Sequence, residues 1–291
     1  MNTISICIIT HNEEENIESC LESAKWADEI VVVDGESTDN TVKICKKYTD
    51  KVYIKENVKN LNVNKSYSFK KVKNEWILYL DADERISLEL KEEIISTIKD
   101  NPTCNGFFVP RKNHFFNFYL RYGGKYPDYQ LRLFIKNRGS FKCEHVHERL
   151  NIDGNVGRLK NPLLHHPYKT ISEYIRKFNF YTDFQGEYLA KKNIKLSPLT
   201  NFIYLFHLPI LRFFRRYFLK FGFLDGVPGF LACVFDSFTV IVSYAKCWEI
   251  QKNEPRLCIK HRKSPKNIEI TRLYRSKMQR KKFSVRICMD T

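Results

Sequence analysis

Four short apolar runs alternate with helix-like segments in the first hundred residues, and this alternation restricts the fold more than any other feature. The runs are ISICIIT (4–10), EIVVVD (29–34), KVYIK (51–55) and EWILYLD (75–81). Apolar residues recur at helical spacing between and after them. A β-α-β-α order of this kind is typical of a mostly parallel sheet covered by helices. We therefore predict an α/β fold with a mostly parallel sheet flanked by helices.

Polar side chains follow three of these runs at the point where each predicted strand ends. Thr10 and Asn12 follow the first run, Asp34 ends the second, and an acidic group at 81–84 follows the fourth. Asn12 is also placed to cap the next helix. Ligands of parallel sheets bind at the carboxyl ends of the strands. Because clustered carboxylates are costly without a positive partner, the sequence predicts a ligand or cation at this edge.

The sequence excludes two common kinds of phosphate site at this edge. A dinucleotide site needs GxGxxG after the first strand, and a nucleoside triphosphatase needs GxxxxGK[ST]; neither pattern is present. Three glutamates, 13–15, occupy the start of the first helix and would repel a phosphate there. A divalent cation on Asp81 and Asp83 would neutralise a bound diphosphate, which is the usual arrangement for Mg²⁺ or Mn²⁺.

Charge is distributed unevenly along the chain, whose net charge is +16. Residues 1–100 contain 14 Lys/Arg and 20 Asp/Glu, so that the excess of positive charge lies entirely in residues 101–291. The basic part is suited to an anionic membrane surface or to nucleic acid. Nine cysteines without a CxxC pair indicate a reducing compartment. With no leader-like start at Met1, we expect a cytoplasmic protein.

Two stretches resemble the family 2 glycosyltransferases, which are nucleotide-sugar enzymes of the GT-A (Rossmann-like) fold. They are ISICIITHNEEENIESCLESAKWADEIVVVDGESTDNT and WILYLDADE, and the second contains the D-x-D element Asp81-Ala82-Asp83. More loosely, YPDYQLRLF, VHERL, LLHHPY and DGVPGF resemble the branch that adds sugars to the lipopolysaccharide core. The resemblance implies transfer of a hexose from a nucleoside-diphosphate sugar, expected to be UDP-linked, to a lipid-linked glycan acceptor with inversion.

The resemblance also implies a role for individual residues. Those implied to bind the nucleotide-sugar are Thr10, Asn12, Asp34, Lys65, Asp81, Gln130 and Arg132. Those implied to hold the divalent metal (Mn²⁺ or Mg²⁺) are Asp83, Asp81 and His147. The metal would act as a Lewis acid on the leaving diphosphate. Gln130 and Arg132 are similar to a Q-x-x-R-type element, although their spacing is shorter.

An inverting transferase needs a base that deprotonates the acceptor hydroxyl, a step worth roughly 10²–10⁴-fold in rate. The catalytic candidates are Asp128 and Glu148, with Glu148 slightly favoured because histidines flank it. His165 and His166, with the CEHVHE stretch at 143–148, could form a zinc site, pack in the interior or take part in the transferase site.

Two other functions remain open at the level of the residues. A sugar nucleotidyltransferase would carry a glycine-rich basic loop after the first strand, where this chain has THNEEEN. A non-catalytic basic protein that binds membrane or nucleic acid would make no use of Asp34 and Asp83. We favour the transferase, with no nucleic-acid partner, because aromatic platforms are sparse in the basic C-terminal part.

The sequence after residue 165 is basic and rich in aromatic residues. We predict an amphipathic helix over 168–190, an interfacial helix over 199–221, and a buried or interfacial helix over 226–245 rather than a membrane span. We therefore divide the chain into a nucleotide-sugar-binding and catalytic domain (1–165), a helical acceptor or membrane-associating region (166–250) and a basic tail (251–291). This organisation predicts a cytoplasmic enzyme that is peripheral on the inner face of the cell membrane.

Overall fold

A computed structural model describes residues 3–58, 60–100, 102–116, 118–143 and 148–253. The strands are β1 (Ile4–Thr10), β2 (Glu29–Asp34), β3 (Val52–Ile54), β4 (Trp76–Asp81), β5 (Glu84–Ile86), β6 (Gly106–Phe115), β7 (Phe118–Tyr119), β8 (Asp128–Ile135), β9 (Gly139–Ser140), β10 (Asn151–Ile152), β11 (Val156–Arg158) and β12 (Leu163–His165). The α-helices are α1 (Ile17–Ala24), α2 (Thr41–Cys45), α3 (Leu61–Lys71), α4 (Leu88–Lys99), α5 (Ile171–Lys191), α6 (Pro198–Phe202), α7 (Leu208–Phe214) and α8 (Gly226–Asn253).

The main sheet has the order β3-β2-β1-β4-β8-β6-β12-β5, with β7 and β11 paired to β6. Strands β3, β2, β1 and β4 run parallel, as their alternation with helices predicts. Strand β8 is antiparallel to both of its neighbours, β4 and β6. The predicted fold class, an α/β fold with a mostly parallel sheet and a helical C-terminal region, is confirmed.

Strands β1 and β2 are buried along their whole length, which explains why their sequences are nearly unbroken apolar runs. One face of the sheet packs against α1 and α4, whose buried side chains include Leu21 and Ile94. The other face packs against α3 through Phe69, which contacts Phe134 of β8 with ring centroids 5.0 Å apart. Helices on both faces leave the strand ends as the accessible edge of the sheet.

The C-terminal helices form a separate layer beside the sheet. Tyr174 of α5 stacks on Phe235 of α8 at 4.7 Å, and Lys246 of α8 pairs with Asp183 of α5 at 2.6 Å, so that these two helices run in the same direction. The stretch between α6 and α8 is helical with two π-helical turns, Ile203–His207 and Arg215–Leu219. The predicted helices in this region are thus observed.

Within the residues that the structure describes, one segment is long and apolar enough to cross a membrane. It consists of α8 and the single helical turn before it. The most apolar 18-residue window of this segment, Gly222–Asn253, has a mean hydropathy of 1.6, and 22% of that window is buried. Asp236 lies in the middle of α8 and pairs with Lys125 and Arg216, both at 2.9 Å. These ion pairs connect the helix to the loop that precedes β8 and to the π-helical turn Arg215–Leu219.

Candidate active site

The carboxyl ends of β1, β2 and β4 lie side by side and bring three predicted site residues to one edge. Thr10 is in register with Asp34, and Ile9 is in register with Asp81. Thr10 is 7% exposed, and its hydroxyl oxygen has no hydrogen-bond partner among the described residues. A buried hydroxyl without a partner is costly, so this atom is suited to bind a ligand at the edge.

Asp34 is fully buried and stabilises the loop that follows β2. Its carboxylate accepts hydrogen bonds from the backbone N–H of Ser37 at 2.9 Å and from the Ser37 hydroxyl at 2.5 Å. The side-chain bond from an aspartate to a backbone group a few residues later is what makes this residue favourable in turns. Asp34 therefore shapes the edge by fixing this loop.

Asn12 joins the loops that follow β1 and β2. Its side-chain oxygen accepts a hydrogen bond from the Thr38 N–H at 2.8 Å, and its own N–H donates to the Ser37 hydroxyl at 2.8 Å. Asn12 has a φ of 51°, and α1 begins only at Ile17. The prediction that Asn12 caps this helix is therefore wrong, because the side chain bonds across the sheet edge instead.

Asp81 is held by two cations at the end of β4. Lys65 Nζ lies 2.8 Å from one carboxylate oxygen, and Arg132 Nη2 lies 2.7 Å from the other. Burial by itself would raise the pKa of Asp81, but Lys65 and Arg132 lower the pKa well below its usual range. Both oxygens already contact a protein cation, so the structure favours Asp83 over Asp81 as a metal ligand.

Arg132 lies in a buried charge cluster that also contains Glu84 and Arg111. Arg132 is 3% exposed and Glu84 is 0% exposed, and their closest N···O distance is 2.5 Å. Glu84 also accepts a hydrogen bond from the Asp81 N–H at 3.0 Å, while Arg111 approaches it at 3.4 Å. The cluster fixes the end of β4. Arg132 contacts the edge formed by the strand ends only through Asp81.

Asp83 lies in the turn between β4 and β5 and has looser partners than Asp81. Its carboxylate is 3.5 Å from His165 Nε2 and 3.9 Å from Lys177 Nζ. Burial opposes its ionisation, but His165, followed by Lys177, lowers the pKa of Asp83 to about 2. Asp83 is therefore a carboxylate anion at neutral pH, and its side chain is 15% exposed.

The donor atoms around Asp83 fit a divalent cation. His165 Nδ1 lies 2.7 Å from Asn113 Oδ1, so that Nδ1–H donates to the amide oxygen and Nε2 is the ring nitrogen that faces Asp83. One carboxylate and one imidazole, completed by water and substrate phosphates, suit Mn²⁺ or Mg²⁺. Three or more His, Cys, Asp or Glu side chains do not converge on one point within the described residues. The predicted ligand His147 lies outside them.

The two predicted bases differ in their surroundings. Asp128 accepts two hydrogen bonds from Arg111, at 2.7 and 3.0 Å, and one each from Asn113 and Gln130. Burial would raise the pKa of Asp128, but the Arg111 guanidinium lowers it overall, which makes Asp128 a weak base. Glu148 accepts a hydrogen bond from the Cys143 N–H at 2.7 Å. Glu148 directly follows four residues, 144–147, that are not described.

One residue of the site was missed by the sequence interpretation, and another was left open. Lys177 of α5 lies 3.9 Å from Asp83, 3.5 Å from Glu13 and 3.4 Å from Glu173, and so joins the C-terminal helices to the sheet edge. His165 was interpreted as zinc-binding, as packed in the interior or as part of the transferase site. It lies at the end of β12, where its Nε2 is 3.5 Å from Asp83, and the His166 N–H donates a hydrogen bond to the backbone oxygen of Asp83. The LLHHPY motif was the available signal for His165.

A family model described as Glycosyl transferase family 2 matches residues 5–159. The chain belongs to glycosyltransferase family 2 and is a glycosyltransferase. A Rickettsia conorii protein named as an uncharacterized glycosyltransferase is 28% identical over 278 residues, covering 84% of this chain and 90% of that protein. The lipopolysaccharide core biosynthesis glycosyltransferase LpsC of Rhizobium meliloti is 26% identical over 252 residues, covering 84% of this chain and 92% of LpsC.

Two solved structures that the chain matches are more distant in sequence. S. aureus TarS in complex with UDP is 15% identical with a TM-score of 0.45, over 87% of this chain and 93% of that one. Glucosyl-3-phosphoglycerate synthase from Mycobacterium tuberculosis, solved with Mg²⁺ and UDP, is 20% identical with a TM-score of 0.33, over 39% and 43%.

Proposed function

We propose that this glycosyltransferase moves a hexose from a UDP-linked sugar to a lipid-linked glycan such as the lipopolysaccharide core, with inversion at the anomeric carbon and with help from a divalent metal. The observation that carries the proposal is the pair formed by Asp83 and His165, whose Nε2 lies 3.5 Å from the carboxylate at the sheet edge. The unpartnered Thr10 hydroxyl lies at the end of β1 on the same edge. The name of the relative LpsC supports the choice of acceptor.

In this proposal different residues at the sheet edge bind different parts of the donor. Thr10, Asn12 and Asp34 form the wall against the base and ribose, and Lys65 and Arg132 keep Asp81 ionised beside the nucleotide. Asp83 and His165 would hold the divalent ion, which supplies a Lewis acid for the leaving diphosphate. Lys177 adds a positive charge next to Asp83 and orients the carboxylate.

The acceptor hydroxyl loses its proton to a carboxylate as its oxygen attacks the anomeric carbon on the face opposite the diphosphate. We assign this role to Glu148, because Asp128 is bound by Arg111 and has a lowered pKa. A base with a lowered pKa accepts a proton less readily, which reduces the gain from general base catalysis. Gln130 then positions Asp128, to which it donates a hydrogen bond at 2.8 Å.

The metal-dependent donor assignment is tested by incubating the protein with UDP-, GDP- and dTDP-hexoses, with and without Mn²⁺. We expect slow hydrolysis, or a rise in the unfolding temperature, with a UDP-sugar only when Mn²⁺ is present, because Asp83 and His165 would hold the ion and it would supply the positive charge that the donor diphosphate needs. A response to GDP- or dTDP-sugars alone would replace the UDP assignment. The absence of any metal-dependent response to all three donors would contradict the proposal.

We also propose that the region 166–250 docks on the anionic inner face of the cell membrane, which would place this cytoplasmic enzyme at its acceptor. Large apolar side chains between α6 and α8 are exposed, including Phe206 at 56%, Phe214 at 53% and Phe218 at 46%. Contiguous exposed apolar surface of this kind marks an interaction site. Arginines at 212, 215 and 216 flank these rings, which suits an interface with anionic headgroups.

Vesicle sedimentation tests the membrane proposal. Phe214→Ser with Phe218→Ser should lower partitioning onto phosphatidylglycerol-containing vesicles by roughly tenfold, because both rings lose their insertion into the interface. The control is Leu88→Ser on α4, outside the region 166–250, which removes an apolar side chain with 64% exposure and should leave partitioning unchanged. Equal partitioning of all three proteins would contradict docking through this face.

Two alternatives from the sequence are set aside on different grounds. Membership of glycosyltransferase family 2 makes the chain an enzyme, so a purely non-catalytic binding role is not retained. A sugar nucleotidyltransferase is disfavoured because the loop after β1 contributes Glu13 and Asn12 to the edge rather than basic residues. The basic tail, which the sequence interpretation assigned to 251–291, lies almost wholly outside the described residues.

A further inference from the structure

A cavity of about 740 Å³ lies in the helical layer, between α5, the helical stretch 203–219 and α8. It is separate from the strand ends, and its walls come from three elements that follow the family 2 region at 5–159. The cavity therefore lies outside the nucleotide side of the proposed site. A volume of this size is in the range of a small-molecule or lipid-headgroup site.

One end of the cavity has an excess of positive charge. Arg212, Arg215 and Lys220 line it, and no carboxylate of the described residues lies within salt-bridge distance of these three side chains. Arg216 also lines it but is paired with Asp236, which Lys125 shares. Cations on a concave surface that have no carboxylate partner favour an anion of high charge density, such as a phosphate.

The other end of the cavity is apolar, as contacts along α8 show. Arg212 donates a hydrogen bond to the backbone oxygen of Asp236, whereas Tyr204 stacks on Tyr244, about two turns further along the helix. Leu208, which lies between these two levels, lines the cavity. The cavity thus changes from cationic to apolar over the length of a short alkyl chain.

Tyr181 connects the cavity with the proposed site. Lys177, one turn before Tyr181 on α5, is 3.9 Å from Asp83, and Tyr181 lines the cavity. Burial, together with the negative charges of Asp83 and Asp81, raises the pKa of the Tyr181 phenol. A molecule in the cavity that contacts Tyr181 is therefore one helical turn from the lysine beside Asp83.

We propose that this cavity binds the phosphate-bearing end of an amphiphilic acceptor. The phosphate contacts Arg212, Arg215 and Lys220, the first part of the lipid chain lies against Leu208 and its neighbours, and the sugar extends past Tyr181 to the Asp83 edge. This inference rests on the proposed function, because it specifies the chemical class of the acceptor. It adds that a lipid-linked phosphate, and not only the glycan, is recognised.

The test measures binding of three probes to the full chain without any nucleotide-sugar. The probes are dodecyl phosphate below its micelle concentration, dodecyl maltoside as the uncharged amphiphile with the same chain, and inorganic phosphate. We expect dodecyl phosphate to bind at least ~10-fold more tightly than either, since only it satisfies both ends of the cavity. Arg212→Ala with Arg215→Ala should weaken dodecyl phosphate at least ~10-fold. The control, Lys191→Ala with Lys252→Ala, removes two exposed cations outside the cavity and should leave the affinity for dodecyl phosphate unchanged.

A second variant tests the apolar end without touching the charges. Val240→Phe reduces the space in the cavity and should weaken dodecyl phosphate while leaving inorganic phosphate unchanged. Thermal unfolding of every variant checks that it folds. Equal affinity for dodecyl maltoside, or for inorganic phosphate, would overturn the proposal, as would an unchanged affinity in the double arginine variant. Donor hydrolysis is measured separately on the unmodified chain, so its failure would refute the donor assignment and leave these results interpretable.

Discussion

Replacing Asp83 with asparagine is expected to lower kcat/KM for sugar transfer by at least ~10²–10³-fold while the protein stays folded. The amide has nearly the same shape as the carboxylate, but it lacks the negative charge that would bind a divalent cation next to His165 Nε2. Stability should change little, because the distances from Asp83 to its cationic partners, 3.5 and 3.9 Å, are too long for strong ion pairs.

The measurements are steady-state transfer at several Mn²⁺ concentrations and a denaturant unfolding curve. The matched control is Asp153→Asn, which makes the same chemical change at an exposed aspartate paired only with Arg138, and it should keep full activity. If Asp83→Asn turns over at the rate of the unmodified chain with an unchanged Mn²⁺ requirement, Asp83 is not the metal ligand. The unfolding curve separates lost chemistry from a lost fold.

The sheet edge could be predicted because the information is local. Each run that became β1, β2 or β4 is apolar over its whole length, and the next polar residue marks where the strand ends. Parallel pairing then brings Thr10, Asp34 and Asp81 into register. The order of the elements alone was therefore enough to place these three residues together.

The partners of the edge residues could not be predicted, because they come from distant parts of the chain. Arg132 reaches Asp81 only because β8 inserts antiparallel beside β4, and no local pattern specifies that pairing. His165 and Lys177 meet Asp83 from β12 and α5, more than 80 residues later. The D-x-D pattern identified two aspartates, but these long-range contacts decide how they differ: Asp81 is ion-paired on both oxygens and Asp83 is not.

The largest effect on stability is expected for Arg132→Ala, which should lower the free energy of unfolding by about 3–5 kcal/mol. Removal of this guanidinium leaves Glu84, which is 0% exposed, with Arg111 at 3.4 Å as its remaining cation. It also removes one of the two cations on Asp81 and the stacking of the guanidinium on the Tyr79 ring at 4.5 Å. A buried charge without close compensation is among the most destabilising changes in a protein interior.

The comparison that isolates this cause uses denaturant unfolding of three variants. Arg132→Met with Glu84→Gln removes both charges, keeps most of the side-chain volume, and should cost clearly less than Arg132→Ala, because no carboxylate is left unpaired. Arg138→Ala breaks an exposed pair with Asp153 and should cost under about 1 kcal/mol. If Arg132→Ala costs no more than Arg138→Ala, the buried cluster does not hold the end of β4. Its stabilising role matters for catalysis, since the turn that carries Asp83 begins where β4 ends, at the carboxylate that Arg132 fixes.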